Sequence, residues 1–101
     1  MSLVISIKYD GMQSVAQQFE EAAGKVKKMQ GDIQQQIDIL KKGSWLSEAA
    51  NRWYGEMDND VIPGVQRLHE AYVRSAQVCR EISKLMEQAE EEAGNLLPNF
   101  A

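Results

Sequence analysis

The sequence predicts an all-α protein, a helix–turn–helix hairpin of two long antiparallel helices. Apolar residues recur every three or four positions from about residue 10 to 42 and again from about 48 to 93, which is the spacing of one helix face. The 101 residues include only 2 prolines and 7 glycines, so long uninterrupted helices are allowed. A short break at residues 43–47, the predicted tryptophan turn, separates the two stretches. We expect residues 1–101 to form a single domain.

The first predicted helix spans about residues 10–42 and carries a heptad pattern. Asp10 is a suitable N-cap, and Gly43 can adopt the left-handed conformation that ends a helix. Lys41 and Lys42 suit the negative end of the helix dipole. The apolar residues form two rows with a period of seven: Met12, Phe19, Val26, Ile33 and Leu40 in one, Val15, Ala22 and Met29 in the other. This period predicts a left-handed seam along a neighbouring helix.

The second predicted helix spans about residues 48–93, with Ser47 as its N-cap. Its seam continues the spacing through Trp53, Met57, Val61, Val65, Leu68, Tyr72, Ser75, Cys79, Ile82 and Met86. Pro63 lacks a backbone donor and disfavours helical geometry at the residue before it. We therefore expect the helix to be kinked near Pro63, between Asp60 and Gly64.

Both ends of the chain are predicted to lie outside the helices. Val4, Ile5, Ile7 and Tyr9 favour extended structure, but a lone strand has nothing to pair with inside a helical hairpin. Residues 1–9 are therefore expected to form an extended arm packed on a helix. Residues 94–101 are expected to form a tail.

Apolar residues beside the seam predict a second packing neighbour. They are Ala16, Ala23 and Ile37 on the first helix and Trp53, Ile62, Val78 and Leu85 on the second. An apolar arc wider than a two-row seam indicates contact with more than one element, and small domains with thin cores commonly gain stability by oligomerising. We expect two hairpins to form an elongated four-helix bundle. Neither helix has a face of one charge sign that would forbid self-pairing. The charge pattern therefore does not decide between a homodimer and a heterodimer, and we prefer the homodimer.

The composition argues against several functional classes. A net charge of −4 without a basic cluster argues against nucleic-acid binding. One cysteine, Cys79, and one histidine, His69, cannot build a disulfide or a zinc site. On one helix they lie about 15 Å apart, too far for a nucleophile and its base. No glycine-rich phosphate loop is present, so we expect no enzyme activity, cofactor, metal or small-molecule substrate.

The N-terminal apolar stretch, residues 3–7, does not have the form of a secretory signal peptide. It lacks a preceding basic segment and a following small-residue cleavage site. We expect the protein to be made in the cytoplasm and, where exported, to leave without a cleavable signal.

Residues 43–50, with the sequence Gly-Ser-Trp-Leu-Ser-Glu-Ala-Ala, resemble the turn of the WXG-motif family, the early-secreted-antigen-like substrates of type VII (ESX) secretion. Trp45 matches the motif tryptophan, Ser47 stands where the motif has glycine, and Trp53 lies where the next aromatic residue is expected. The resemblance extends to chain length, helix placement and turn position. It implies helical hairpins that pair as homodimers or heterodimers and are handed, folded, to a membrane ATPase of the translocation machine.

The resemblance assigns the turn residues Gly43, Trp45 and Ser47 to a recognition surface. The alternative for Trp45 is a hydrophobic plug that closes the end of the hairpin. Both roles are compatible.

Export in this family often uses a tyrosine followed at the fourth position by an acid, near the C-terminal end of the second helix. Tyr72 is followed there by Ala76 and does not fit. Tyr54 with Asp58 fits the spacing at the other end of the helix and is the candidate export signal. We favour an ordinary surface position for Tyr54.

The sequence thus predicts a non-enzymatic WXG-type protein that is secreted as a folded dimer by a type VII system, or that partners such a substrate. Its expected partners are a second copy or a homologous WXG-type chain, and the type VII membrane ATPase. The alternative is a chaperone or adaptor that remains in the cytoplasm and pairs with the helical N-terminus of a larger secreted toxin. The lack of a C-terminal tyrosine signal favours this alternative.

Overall fold

The computed structural model describes residues 2–96, with the side chains of residues 11–95, and over this range it is helical except for the turn at 43–47. Helix α1 spans Ser2–Lys42, α2 spans Glu48–Glu56 and α3 spans Ile62–Leu96. A π-helical segment, Met57–Val61, joins α2 to α3. The predicted all-α class is confirmed, and the order of helix, turn and helix is that of a hairpin. Residues 97–101 of the predicted tail lie outside the described residues.

Both helices are longer than predicted. Helix α1 begins at Ser2, so the extended arm expected over about residues 1–9 is wrong for residues 2–9, and Asp10 is not an N-cap. Strand propensity is a weak local preference, and a helix satisfies backbone donors and acceptors that an unpaired strand leaves open. Helix α3 runs past Gly94 to Leu96, because one glycine costs a helix only about 1 kcal/mol.

Pro63 does not break the helical path. The N–H of Ile62 donates to the carbonyl of Met57, five residues back, in place of the usual four. Pro63 has no N–H, and its ring crowds the carbonyl four residues before it. A wider π-turn immediately before the proline accommodates both constraints. In place of the expected break near Pro63, the helical path continues through the π-helical segment that ends at Val61.

The chain divides into two compact units. Unit 1 comprises Met1–Glu20 with Val73–Ala101, and unit 2 comprises Glu21–Tyr72. The buried residues of unit 1 are small: Ala16, Ala76, Cys79 and Ser83. Those of unit 2 are Ala23, Ile37, Ala50 and Tyr54. Small side chains let helix backbones approach closely, so each unit needs few large residues in its interior.

An exposed polar network marks one flank of unit 1. The Arg80 guanidinium donates through Nε to Glu20 Oε1 at 2.7 Å and through a terminal nitrogen to Gln13 Oε1 at 2.8 Å. The hydrogen bond from Arg80 lowers the pKa of the Glu20 carboxyl. Because the pair is solvated, its contribution to stability is small, and it is lost as the pH falls through the lowered pKa.

On each long helix, one of the rows predicted to be buried is exposed, and the residues that follow it in the sequence are buried instead. The predicted row containing Val15 and Met29 is exposed, whereas the row of Ala16, Ala23 and Ile37 is buried. On α3, the predicted Leu68 and Ile82 are exposed, whereas Ala76 and Ser83 are buried.

The other predicted rows lie inside the fold, with Leu40 and Val61 as exposed exceptions. Phe19, Val26, Ile33, Trp53, Met57, Val65, Tyr72 and Met86 are half-buried, and Cys79 is buried. The exposed residues of the predicted seam are therefore Val15, Met29, Leu40, Val61, Leu68 and Ile82.

In unit 1, the exposed Ile82 of α3 lies on the side of the helix away from the polar network. At about 100° per residue, Ile82 is displaced about 100° to one side of the buried Ser83. Arg80, three residues before Ser83, is displaced about 60° to the other side. Gln13 and Glu20 bind Arg80, so they lie on that same polar side.

Helix α1 has the same arrangement in unit 1. Val15 immediately precedes the buried Ala16, and Gln13 lies three residues before Ala16, on the opposite side. Because Gln13 contacts Arg80 of α3, the polar flanks of the two helices coincide. Val15 and Ile82 therefore share the other flank.

Unit 2 repeats this pattern. Met29 and Leu68 are exposed and immediately precede the half-buried Gln30 and His69. A groove of about 540 Å³ in this unit is polar, with Lys27, Gln34, Gln66 and Glu70 among its lining residues. We call the exposed side chains of Val15 and Ile82 the apolar flank of unit 1, and those of Met29 and Leu68 the apolar flank of unit 2.

Candidate functional site: the tryptophan turn

The turn begins with a Schellman motif at the end of α1. The N–H of Trp45 donates to the carbonyl of Leu40 at 3.1 Å, which is the six-to-one bond of that motif. The N–H of Gly43 donates to the carbonyl of Ile39 at 2.8 Å, as in a regular α-helix. The left-handed residue is Ser44, with φ of 68°, and not Gly43 as predicted. This hydrogen-bond pattern places the left-handed residue directly before the donor Trp45. A Cβ atom on Gly43 would lie 3.1 Å from the Ile39 carbonyl oxygen, so Gly43 provides room there.

Ser47 starts the next helix, as predicted. Its Oγ accepts a hydrogen bond from the N–H of Ala50 at 3.0 Å, which satisfies one of the free donors at the start of α2. Its backbone is extended, with φ of −164° and ψ of 170°, a conformation open to any residue. Serine in place of the motif glycine is therefore unstrained.

Three aromatic rings pack around the turn. Trp45, Trp53 and Tyr54 form edge-to-face pairs with ring centroids 5.5 to 5.6 Å apart, a geometry favoured by the ring quadrupoles. The Tyr54 hydroxyl donates to the carbonyl oxygen of Trp45 at 2.8 Å. The motif tryptophan is thus held through both its ring and its backbone.

Tyr54 belongs to the core of unit 2. Its side chain is 7% exposed and lies in a cluster with the fully buried Ile37 and Ala50. The predicted surface position of Tyr54 is wrong. The predicted apolar face of α2 comprised Ala49, Ala50, Trp53 and Met57. Ala50 is buried and Trp53 and Met57 are half-buried, whereas Ala49 is exposed and the buried Tyr54 was not part of the predicted face.

Both residues of the candidate export pair, Tyr54 and Asp58, interact with the side chain of Lys41. Lys41 Nζ lies 5.2 Å from the centroid of the Tyr54 ring and 3.7 Å from Asp58 Oδ2. Residues four apart on a helix lie on one face, so a tyrosine and an acid at this spacing can bracket a cation of α1. We call this arrangement the Lys41 clasp.

The turn presents apolar side chains to solvent although its backbone is tightly held. Trp45 is 41% exposed and Leu46 is 69% exposed. The indole therefore packs on its aromatic neighbours and still offers part of its surface, which agrees with both roles considered for it. The contributions of Ser44 and Lys41 have no signal in the sequence, because they depend on the path of the chain between α1 and α2.

The family comparison agrees with this geometry. The sequence model described as "WXG100: Proteins of 100 residues with WXG" matches residues 4–91. The chain belongs to the WXG100 family. WXG100 proteins are non-enzymatic, secretion-related proteins of the type VII substrate kind, and they typically pair with other WXG proteins. Comparisons with curated proteins and with solved structures gave no match. Within residues 2–96, no helix is long and apolar enough to span a bilayer.

Ser44→Gly should stabilise this WXG100 chain by about 0.5–1 kcal/mol, because glycine adopts a left-handed φ without the steric cost that serine incurs. Urea denaturation followed by circular dichroism measures the change. Ser14→Gly, in the exposed interior of α1, is the matched control and should destabilise by about 0.5 kcal/mol. Destabilisation by both substitutions would contradict the turn conformation.

Proposed function

We propose that this WXG100 protein is exported by a type VII secretion system as a folded pair of helical hairpins, with the Trp45 turn as part of the surface that the membrane ATPase recognises. The observation that supports this most directly is the turn itself. Hydrogen bonds and aromatic contacts hold its backbone, yet the Trp45 ring remains partly exposed. A preorganised apolar group binds a partner with a smaller loss of conformational entropy.

The apolar flank of each unit supports pairing. Val15, Met29, Leu68 and Ile82 are each more than a third exposed, and burying such side chains against a second hairpin removes apolar area from water, at about 25 cal/mol per Å². Each unit contributes one exposed pair. We propose a second copy of the chain as the occupant, with a homologous WXG-type chain as the alternative.

The placement of Tyr54 favours a second candidate function. Tyr54 is the only tyrosine in the sequence with an acid at the fourth following position, and it is buried under the turn. A tyrosine signal for export would then come from a partner. This supports the alternative of a cytoplasmic chaperone or adaptor that pairs with the helical N-terminus of a larger toxin.

Targeted mass spectrometry of culture supernatant and cell pellet tests the proposal. The native host is compared with a strain that lacks the type VII ATPase, with a cytosolic protein as the lysis control. We expect the protein in the supernatant only when the ATPase is present. Retention in the pellet of both strains would contradict export and favour the chaperone or adaptor.

Trp45→Ala should lower the exported fraction by about tenfold, the size expected when a central aromatic contact is lost. Trp45→Phe retains a ring and should be less affected. Val73→Ala removes an exposed apolar side chain far from the turn and should export normally. Export of Trp45→Ala at the level of Val73→Ala, from equal intracellular amounts, would exclude the turn as a recognition surface.

A further inference from the structure

Tyr54 connects three parts of unit 2 that are separate in sequence. Its ring packs in the buried cluster with Ile37 of α1, and Lys41 lies over the ring face. Its hydroxyl reaches back to the carbonyl of Trp45 at 2.8 Å. The hydroxyl of the buried Tyr54 side chain is thus hydrogen-bonded to the backbone of the motif tryptophan.

The backbone around Trp45 needs such a restraint. Ser44 has a left-handed φ of 68°, which is costly for a residue with a Cβ atom. The N–H of Leu46 donates to the carbonyl of Ser44 at 2.7 Å, a tight turn centred on Trp45. Unfavourable local conformations persist when the surrounding contacts determine them.

We infer that Tyr54 is the positioning residue of the tryptophan turn, holding Trp45 and Leu46 in their exposed arrangement through its hydrogen bond to the Trp45 carbonyl. Asp58 has a different role. It pairs with Lys41 at 3.7 Å and steadies the lysine over the ring. The inference deepens the proposed function, because it names the residue that prepares the recognised surface.

Tyr54→Phe removes one oxygen atom and keeps the ring, so it tests the hydrogen bond alone. Hydrogen exchange of the full-length purified protein is followed by NMR. The amides of Trp45 and Leu46 should exchange about fivefold faster, the factor expected when one neutral hydrogen bond is lost. Amides in the middle of α1 should be unchanged. Replacement of Tyr54 by 4-aminophenylalanine, which retains a donor at the ring position, should restore slow exchange.

Asp58→Asn is the matched control, because it removes the charge of the Lys41 clasp and leaves the tyrosine hydroxyl in place. It should leave exchange in the turn at the wild-type rate. Wild-type exchange in Tyr54→Phe would overturn the inference. Uniform acceleration across unit 2 would also overturn it, because that result shows a role in general stability only.

Export is measured separately, so failure of the inference and failure of the proposed function are distinguishable. If Trp45→Ala blocks export, Tyr54→Phe should reduce export and Asp58→Asn should not. Normal export of Tyr54→Phe with a loosened turn would contradict the functional part of the inference. A result that refutes export would not affect the hydrogen-exchange result, since the exchange experiment uses the purified protein alone.

Discussion

Replacing Ile37 with alanine should lower the free energy of unfolding by about 3 kcal/mol, the usual cost of removing a large apolar side chain from a packed interior. Ile37 is fully buried and contacts the cluster that contains Ala50 and Tyr54. Because neither neighbour can move without disturbing the turn, the cavity should collapse only in part. Urea denaturation followed by circular dichroism measures the loss.

Ile39→Ala is the matched control for this substitution. It makes the same chemical change two residues further along α1, at a side chain that is 52% exposed, and should cost less than about 1 kcal/mol. Equal losses for the two variants would show that Ile37 is not in the interior. They would also contradict the buried row of Ala16, Ala23 and Ile37.

Ile82→Glu should weaken self-association by about a hundredfold or more, because burying an unpaired carboxylate at an interface costs several kcal/mol. Ile82 belongs to the apolar flank of unit 1, where a partner is proposed. In a homodimer the substitution occurs twice. Sedimentation velocity over a range of protein concentrations measures the shift toward monomer.

Val73→Glu provides a control of the same size and exposure. Val73 is 38% exposed and Ile82 is 37% exposed, and both lie on α3 in unit 1. Val73 is seven residues before Arg80 and shares its polar flank. It should leave association within about threefold of wild type. Similar dissociation by both variants, or by neither, would show that the apolar flank is not the interface.

The course of the helices was largely predictable, because it follows from local signals. The end of α1 at Lys42 and the start of α2 at Glu48 both match the prediction, since a glycine stop and a serine cap act within a few residues. The first residues of α1 were not predicted, because strand propensity over 1–9 outweighed the absence of a partner strand in our interpretation.

The buried face was predicted less well. Large apolar residues such as Met29 and Ile82 were taken as seam residues, whereas Ala16 and Ser83 lie inside. Size is a poor guide where two helices approach closely, because the nearest positions accept only small side chains.

The candidate site shows the same limit. Trp45 and Ser47 were identified from the motif and lie in the turn. The burial of Tyr54 and its bond to the Trp45 carbonyl depend on contacts between residues nine apart, which heptad counting does not resolve.

The π-helical segment Met57–Val61 determines which residues of α3 face the interior and which face solvent. Counting in heptads from the buried Tyr54, an uninterrupted helix would turn Val61, Leu68 and Ile82 inward. A π-turn contains one residue more than an α-helical turn. Every later residue of the helix is therefore rotated about the axis by one residue, about 100°. The inward positions become 62, 69, 76 and 83. A single extra residue of winding thereby moves the row of Val61, Leu68 and Ile82 from the interior to the exposed surface.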